Sequence, residues 1–246
     1  MMDFALPADH ALHFLEPTGA GTRGIAVLEA LAHMIERAGL TVGDKLPPEV
    51  ALAERLGVGR STMREALNRW EGVGIIRRRR GDGTYLTARV PIARGPISAL
   101  VRLEGEALLR LLEVRRALEV SVVRKVALIA NAAQKAEIAR LCDVLLTVVY
   151  QGLPYQQADN AFHAAIYDAS GNPMFWQLIG HLNAACERAD HSPFGLSSFG
   201  LESFPLHRDL SDAISANDPQ RAVATINAII DTVEAEICRT IDVSSL

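Results

Sequence analysis

Glycines at positions 39, 43, 57, 59, 72, 74, 81 and 83 cut one part of the chain into pieces too short for anything but small helices and strands. Ahead of Gly39, the residues Ile25, Leu28, Leu31 and Ile35 recur at three and four, which predicts a helix. A turn, VGDKLPP, leads to a second helix from Glu49 to Leu56, with Ala51, Leu52 and Leu56 on one face. Gly57 and Gly59 bracket a turn before a third helix, about Ser61 to Glu71. There Met63, Ala66, Leu67 and Trp70 fall at i, i+3, i+4 and i+7. Gly-Val-Gly-Ile-Ile-Arg then opens a strand, RRRGDG turns the chain and TYLT returns it, which reads as a β-hairpin. Residues 21–90 are therefore expected to form a helix-turn-helix with a hairpin wing.

Charge supports a polyanionic partner for this segment. The whole chain carries −4, yet residues 50–90 hold nine arginines against four acidic residues. The third helix buries its apolar side and presents Arg60, Ser61, Arg64 and Asn68 on the other; Arg60, Arg64 and Asn68 are spaced by four. A helix fits the major groove of B-DNA, where an arginine fork matches guanine and an asparagine matches adenine. Ser61 and Thr62 are suited to phosphate contacts or to capping the helix. Arg77 to Arg80 run into the hairpin tip at Gly81, a basic wing that can follow the backbone or enter the minor groove. Strand alternation lets at most two of these four arginines face DNA together. The other reading of the run is a solvated strand with no partner.

The rest of the chain has a different character. Residues 1–20 show no period and are expected to be a mobile arm. Residues 91–98, PIARGPIS, read as a linker. Beyond them the pattern is helical throughout, with helices expected at about 104–130, 133–150, 155–170, 173–188, 204–216 and 219–241. The expected fold class is mainly α: a winged helix-turn-helix followed by an all-α bundle over 99–246. Asn172-Pro173 and Asp218-Pro219 each place a capping residue before a proline at the first helical position. Cys142, Cys186 and Cys238 are widely spaced and odd in number, which argues against a disulfide or zinc-finger framework and fits a reducing compartment. No apolar run reaches membrane-spanning length and the N-terminus does not look like a signal peptide, so a cytoplasmic location is expected.

Within the bundle, Asp159 and His163 lie one helical turn apart on one face, and His207 sits on a later helix. A carboxylate and imidazoles so placed can bind a divalent metal, or form a structural Asp–His hydrogen bond. Arg115 falls on the apolar stripe Leu108, Leu111, Leu112, Leu118 and Val122. A buried arginine needs a partner: either Glu119 one turn on, or an anionic ligand gripped by the guanidinium fork. The sequence contains no G-x-S-x-G elbow, P-loop or H-E-x-x-H motif. The cysteines sit in apolar helical contexts that suit core or interface better than nucleophiles.

The segment LPPEVALAERLGVGRSTMREALNRWEGVGIIRRRRGDGTYLT resembles the winged helix of GntR-family transcription regulators over about residues 24–89. That resemblance implies DNA reading by Arg60, Ser61, Thr62 and Arg64, with Arg80 and Gly81 at the wing. Gly59 stands where the family usually has serine, and Val50 where some members have a basic residue; each removes a phosphate contact. The run D-x-x-F-H-x-x-I-x-x-x-S-G-N, with the later His207 and the D-P-x-x-A helix, resembles the FCD domain of the FadR-type branch. The resemblance implies a metal held by Asp159, His163 and His207 on the floor of an effector pocket, with zinc, nickel or manganese as candidates. It places the usual fourth ligand, a histidine, at Ile229. Asn227 is a poor substitute, and His181 does not match the pattern. E-V-R-R-A-L-E resembles the family's E-x-R-x-x-L-E, which directs Arg115 at a small carboxylate effector. A homodimer is expected, because two half-sites must be read and because residues 117–130 are more apolar than one small domain buries. The expectation is an effector-controlled regulator, a repressor. The alternatives are a metal-dependent enzyme built on Asp159, His163 and His207, and a sensor of the metal ion itself.

Overall fold

The computed structural model describes residues 8–15, 24–88, 98–187 and 200–241. The chain divides into two compact units, one of Met1–Leu109 with Arg239–Leu246 and one of Arg110–Cys238.

The first unit is built on the predicted pattern. Helices α1 (Ala8–Ala11), α2 (Gly24–Arg37), α3 (Glu49–Leu56) and α4 (Arg60–Gly72) precede strands β1 (Ile76–Arg79) and β2 (Gly83–Leu86). Leu28, Leu31, Ile35, Leu52, Leu56, Met63, Leu67 and Trp70 make one buried core. These are the residues that recur at three and four on α2, α3 and α4, so amphipathic periodicity alone closes the three-helix body. Gly57 leaves α3 in the left-handed region at φ +71°, and its N–H meets the Ala53 and Glu54 carbonyls.

Two expectations for this unit are corrected. Residues 1–20 were expected to be a mobile arm; for the described part, 8–15, α1 continues into a 3-10 turn, Leu12–Phe14, and Ala11 and Leu15 are buried in the core. Burial of these apolar side chains, together with the hydrogen bond from Arg55 Nε to the Leu15 carbonyl (3.0 Å), ties the segment down. Of the two uses open to Ser61 and Thr62, phosphate contacts or capping the third helix, capping does not occur: the N-cap is Gly59 and no side chain caps it. Gly59 has an ordinary φ of −65°. A Cβ there would meet only Ser61 Oγ at 3.7 Å and Thr62 Oγ1 at 3.9 Å. Gly59→Ser is therefore expected to stabilise the unit by about 0.5–1 kcal/mol, by capping and by restricting the unfolded chain. Thermal melting should show a midpoint a few degrees higher; a lower one contradicts the capping argument.

The hairpin pairs Ile76 with Leu86, Arg77 with Tyr85, Arg78 with Thr84 and Arg79 with Gly83. Its other edge is covered by Gly43–Leu46, through Leu46 N–H to the Thr84 carbonyl and Leu86 N–H to the Asp44 carbonyl. At the tip, Asp82 N–H closes on the Arg79 carbonyl, with Gly81 at φ +76°.

Helix α5 (Ala99–Ile129) begins five residues earlier than the expected 104. Its first turns belong to the first unit: Ala99, Leu100, Leu103 and Ala107 join the same core. Arg102, only 5% exposed, pairs with Glu36 of α2 at 2.6 Å, and Glu104 pairs with Arg69 of α4 at 2.8 Å. Apart from Ser98, the expected linker of 91–98 lies outside the described residues.

In the second unit, α6 (Ala132–Tyr150) packs against α7 (Gln156–Ala169) and α9 (Phe204–Ser215), and α7 packs against α8 (Pro173–Glu187). Helix α10 (Pro219–Ile241) is tied to α5 by Arg116, which reaches Asn227 Oδ1 at 3.0 Å and Glu234 at 2.8 Å. Asn172 and Asp218 accept backbone N–H bonds at the starts of α8 and α10, as their places before proline predict. No strand occurs among the described residues after 98. Among the helices after 98, every boundary but the start of α5 falls within one residue of its expected place.

Candidate functional site

The outer face of α4 carries Arg60, Ser61, Arg64 and Asn68, all exposed, with Thr62 half-buried. Arg60 has no ion-pair or hydrogen-bond partner among the described residues. Arg64 holds a single surface ion pair, Nε to Glu49 Oε1 at 3.2 Å, and its side chain stays largely in solvent. Arg80 and Gly81 are exposed at the hairpin tip. Along β1 the alternation is clear: Ile76 is buried and Arg78 half-buried on one face, while Arg77 and Arg79 are exposed on the other. Arg79 stacks over the Tyr85 ring at 4.5 Å. One candidate has a partner inside the unit: Asn68 Oδ1 accepts a hydrogen bond from Arg78 Nη2 at 2.7 Å, which turns the amide toward the wing.

A second constellation lies in the helical unit. Asp159 and His163 project from α7 and His207 from α9, with their donor atoms within 4.8 Å of one another. The two Nε2 atoms are 3.3 Å apart, and Asp159 Oδ1 lies 3.7 Å from His163 Nε2 and 3.4 Å from His207 Nε2. His207 Nδ1 faces the Ser203 carbonyl at 3.2 Å, which can only accept. In the neutral ring Nδ1 therefore carries the proton, which leaves the Nε2 lone pair available to a metal. Around a zinc-like ion with ligands at about 2.0–2.1 Å, a tetrahedron has edges of roughly 3.3–3.4 Å, so this donor set fits a divalent ion. Phe162 and Phe204 pack against the imidazoles.

The same region holds Arg115. Its Nε donates to Glu119 Oε1 at 3.0 Å, and Tyr167 on α7 donates its hydroxyl to the same oxygen at 2.5 Å. Glu119 is 1% exposed and its Oε2 is buried without a hydrogen-bond partner. Burial opposes the charge on Arg115, but Glu119, Tyr167 and Asp159 outweigh it and hold the guanidinium firmly protonated. Burial and the Glu119 carboxylate push the Tyr167 hydroxyl well up, so it stays a donor. Tyr167 was missed in the sequence, although it continues the Asp159, His163 spacing by a further four.

Other candidates fall away. Ile229 is 6% exposed and offers no donor atom. Asn227 is bound to Arg116 and to the Val223 carbonyl, which rules it out as a substitute ligand. His181 is exposed and outside the donor cluster. Cys142 is buried, and burial pushes its thiol up to about 11, which makes it a poor nucleophile.

Residues 25–86 match the family described as bacterial regulatory proteins, gntR family, and residues 110–232 match the FCD domain. The HTH-type transcriptional regulator LutR of Bacillus subtilis is 30% identical over 210 residues, which cover 82% of this chain and 94% of LutR. The chain belongs to the GntR family of bacterial regulators. A provisionally named L-lactate dehydrogenase operon regulatory protein of Escherichia coli is 29% identical over 222 residues, covering 87% of this GntR protein and 85% of the relative. The fold of Escherichia coli McbR/YncC is similar, with a TM-score of 0.51 at 20% identity over 88% of this chain and 97% of that one. A GntR protein of this kind is a transcription regulator and not an enzyme, which removes the metal-dependent enzyme from consideration. No helix among its described residues is long and apolar enough to cross a membrane.

The buried donors make this GntR protein acid-sensitive when metal-free. Burial lowers His163 from its ordinary 6.5, so the unfolded chain takes up that proton first as pH falls. Burial works against the Asp159 charge, but His163, His207 and Arg115 outweigh it and hold the carboxyl at about 2, below its ordinary 3.8. Both contributions are present at neutral pH. The His163 part is lost as pH drops below about 6.5, and the Asp159 part, ~2 kcal/mol, as it drops from about 4 to 2. Chelator-treated protein should melt at progressively lower temperature from pH 7 downward; a midpoint that rises between pH 7 and pH 5 contradicts these assignments.

Proposed function

We propose that this GntR protein is a cytoplasmic, homodimeric repressor that reads a duplex DNA operator and is released from it by a small carboxylate. Residues 21–90 act as the DNA-binding domain, with Arg60, Ser61, Thr62 and Arg64 reading the major groove and Arg80 and Gly81 following the backbone. Residues 99–246 act as the effector and dimerisation domain. The observation that carries this reading is the meeting of a charged guanidinium with three metal-type donors in the helical unit of a transcription regulator. The L-lactate dehydrogenase operon named for one relative is consistent with a carboxylate effector. Exposure of Leu128 (64%) and Ile129 (54%) at the end of α5 supports a further apolar interface.

Asp159, His163 and His207 would hold a divalent ion such as zinc, nickel or manganese. The ion would supply a Lewis-acidic positive charge for the effector carboxylate. Arg115 orients the same carboxylate through its fork. With Ile229 in place of a fourth donor, three protein ligands leave a coordination position for an effector oxygen. This favours an effector site over a closed sensor of the ion alone. Effector binding then shifts the population between operator-competent and operator-incompetent states.

A mobility-shift titration of the protein on its selected duplex, with short carboxylates including L-lactate, tests the reading. At least one compound that binds should release DNA; if every compound that binds leaves DNA affinity unchanged, the reading fails. Zinc, nickel or manganese added to chelator-treated protein should raise its melting point, by about 2.7 kcal/mol of stability at a hundredfold excess over Kd. His207→Ala should abolish that rise. If no ion shifts the midpoint, the site is not a metal centre.

A further inference from the structure

The four arginines at 77–80 do not share one role. Arg78 is on the same face of β1 as buried Ile76, turned toward α4. Its Nη2 donates to Asn68 Oδ1 at 2.7 Å and reaches the Arg64 carbonyl at 3.5 Å. Its Nε lies 3.5 Å from Glu71 Oε2, and its backbone N–H donates to Glu71 Oε1 at 2.9 Å. One residue of the wing thus meets three residues on successive turns of this helix: the guanidinium hydrogen-bonds Asn68, its Nε is buried without a hydrogen-bond partner and stands at ion-pair distance from Glu71, and the hydrogen bond to Glu71 comes from the backbone N–H. The contacts to Asn68 and Glu71 use the breadth of a guanidinium, which an ammonium cannot span.

We propose that Arg78 is a positioning residue: it clamps the wing to α4 and fixes the spacing between the groove-reading arginines and the wing tip. Asn68 is the receiving half of the clamp and does not read a base. Arg77, Arg79 and Arg80 remain exposed for the DNA backbone, while the charge of Arg78 is already answered by Glu71. The clamp rests on the reading of α4 and the wing as the DNA face, and it adds which residues of that face touch DNA and which hold it in shape.

The test uses the full-length protein and a duplex that the wild type selects from a random library. Specific affinity, non-specific affinity and the salt dependence of binding are measured for Arg78→Ala, Arg78→Lys, Asn68→Ala and the Arg78→Ala/Asn68→Ala pair, with melting curves for each. The clamp predicts that Arg78→Lys loses about as much specific affinity as Arg78→Ala, roughly five- to thirtyfold. It predicts that the double variant is no worse than the singles, because both remove one interaction. The salt slope stays at the wild-type value, and Asn68→Ala weakens binding without relaxing preference at any single base pair. If Arg78→Lys binds like the wild type and Arg78→Ala lowers the salt slope by about one, Arg78 is a phosphate contact and the clamp is wrong. Relaxed preference at one base pair in Asn68→Ala makes Asn68 a reader and likewise overturns it. Arg60→Ala in the same assay separates the two levels. If it binds as tightly as the wild type, the DNA-face reading fails and the clamp with it; if it loses specific binding while the Arg78 variants do not, the clamp alone fails.

Discussion

Replacing Arg60 and Arg64 together with alanine should weaken specific DNA binding by roughly 30- to 20,000-fold and leave the melting temperature almost unchanged. A base-reading arginine is worth about 1–3 kcal/mol of specific affinity, and each 1.4 kcal/mol is tenfold. The small effect on stability follows from exposure. Arg60 holds no partner among the described residues, and the Arg64–Glu49 pair is a surface contact of the sort worth at most about 1 kcal/mol. The same weakness lets Arg64 leave Glu49 for a guanine edge. The apolar face of α4, from Met63 to Trp70, is untouched, so the helix stays seated. A double variant that binds its duplex as tightly as the wild type would remove α4 from the interface.

Arg115→Ala should have the opposite profile, with a large loss of stability in the helical unit. Glu119 is 1% exposed, and Arg115 is the cation bonded to its Oε1. Removing the guanidinium strands a buried carboxylate that keeps only the Tyr167 hydroxyl. Breaking a buried pair from one side costs about 3–5 kcal/mol, a fall in melting temperature of roughly 10 °C for a chain of this size. Neutralising the whole cluster, as in Arg115→Met with Glu119→Leu and Tyr167→Phe, should restore most of the stability, since apolar groups of similar size no longer need each other. Carboxylate binding should be lost in both proteins. An Arg115→Ala protein that melts like the wild type rules out the buried pair as drawn.

The two partners foreseen for Arg115, Glu119 and an anionic ligand, turn out not to exclude each other. Nε is committed to Glu119, while Asp159, His163 and His207 stand close by in the same unit. An i, i+4 spacing shows that a pair can form; it does not show how many groups gather around it.

Much of the architecture was legible because it depends on short-range patterning. Met63, Ala66, Leu67 and Trp70 define their helix face whatever surrounds them, and glycines at left-handed positions such as Gly57 and Gly81 mark the turns. The Asp159–His163 pairing is likewise a property of one helix. What could not be read locally are the encounters between distant segments. The packing of Ala11 and Leu15 depends on α2 and α3, and the early start of α5 depends on Leu100 and Leu103 finding the core of the first unit. The hold of Arg78 on Asn68 depends on how the hairpin lies against α4. Periodicity and turn chemistry act within a few residues, so the chain alone dictated which faces are apolar, which are charged and where it bends. Burial, desolvation and the partnering of polar groups arise only when those faces meet, and so the folded molecule decided that Asn68 accepts from Arg78, that Tyr167 donates to Glu119, and that three side chains from two helices converge.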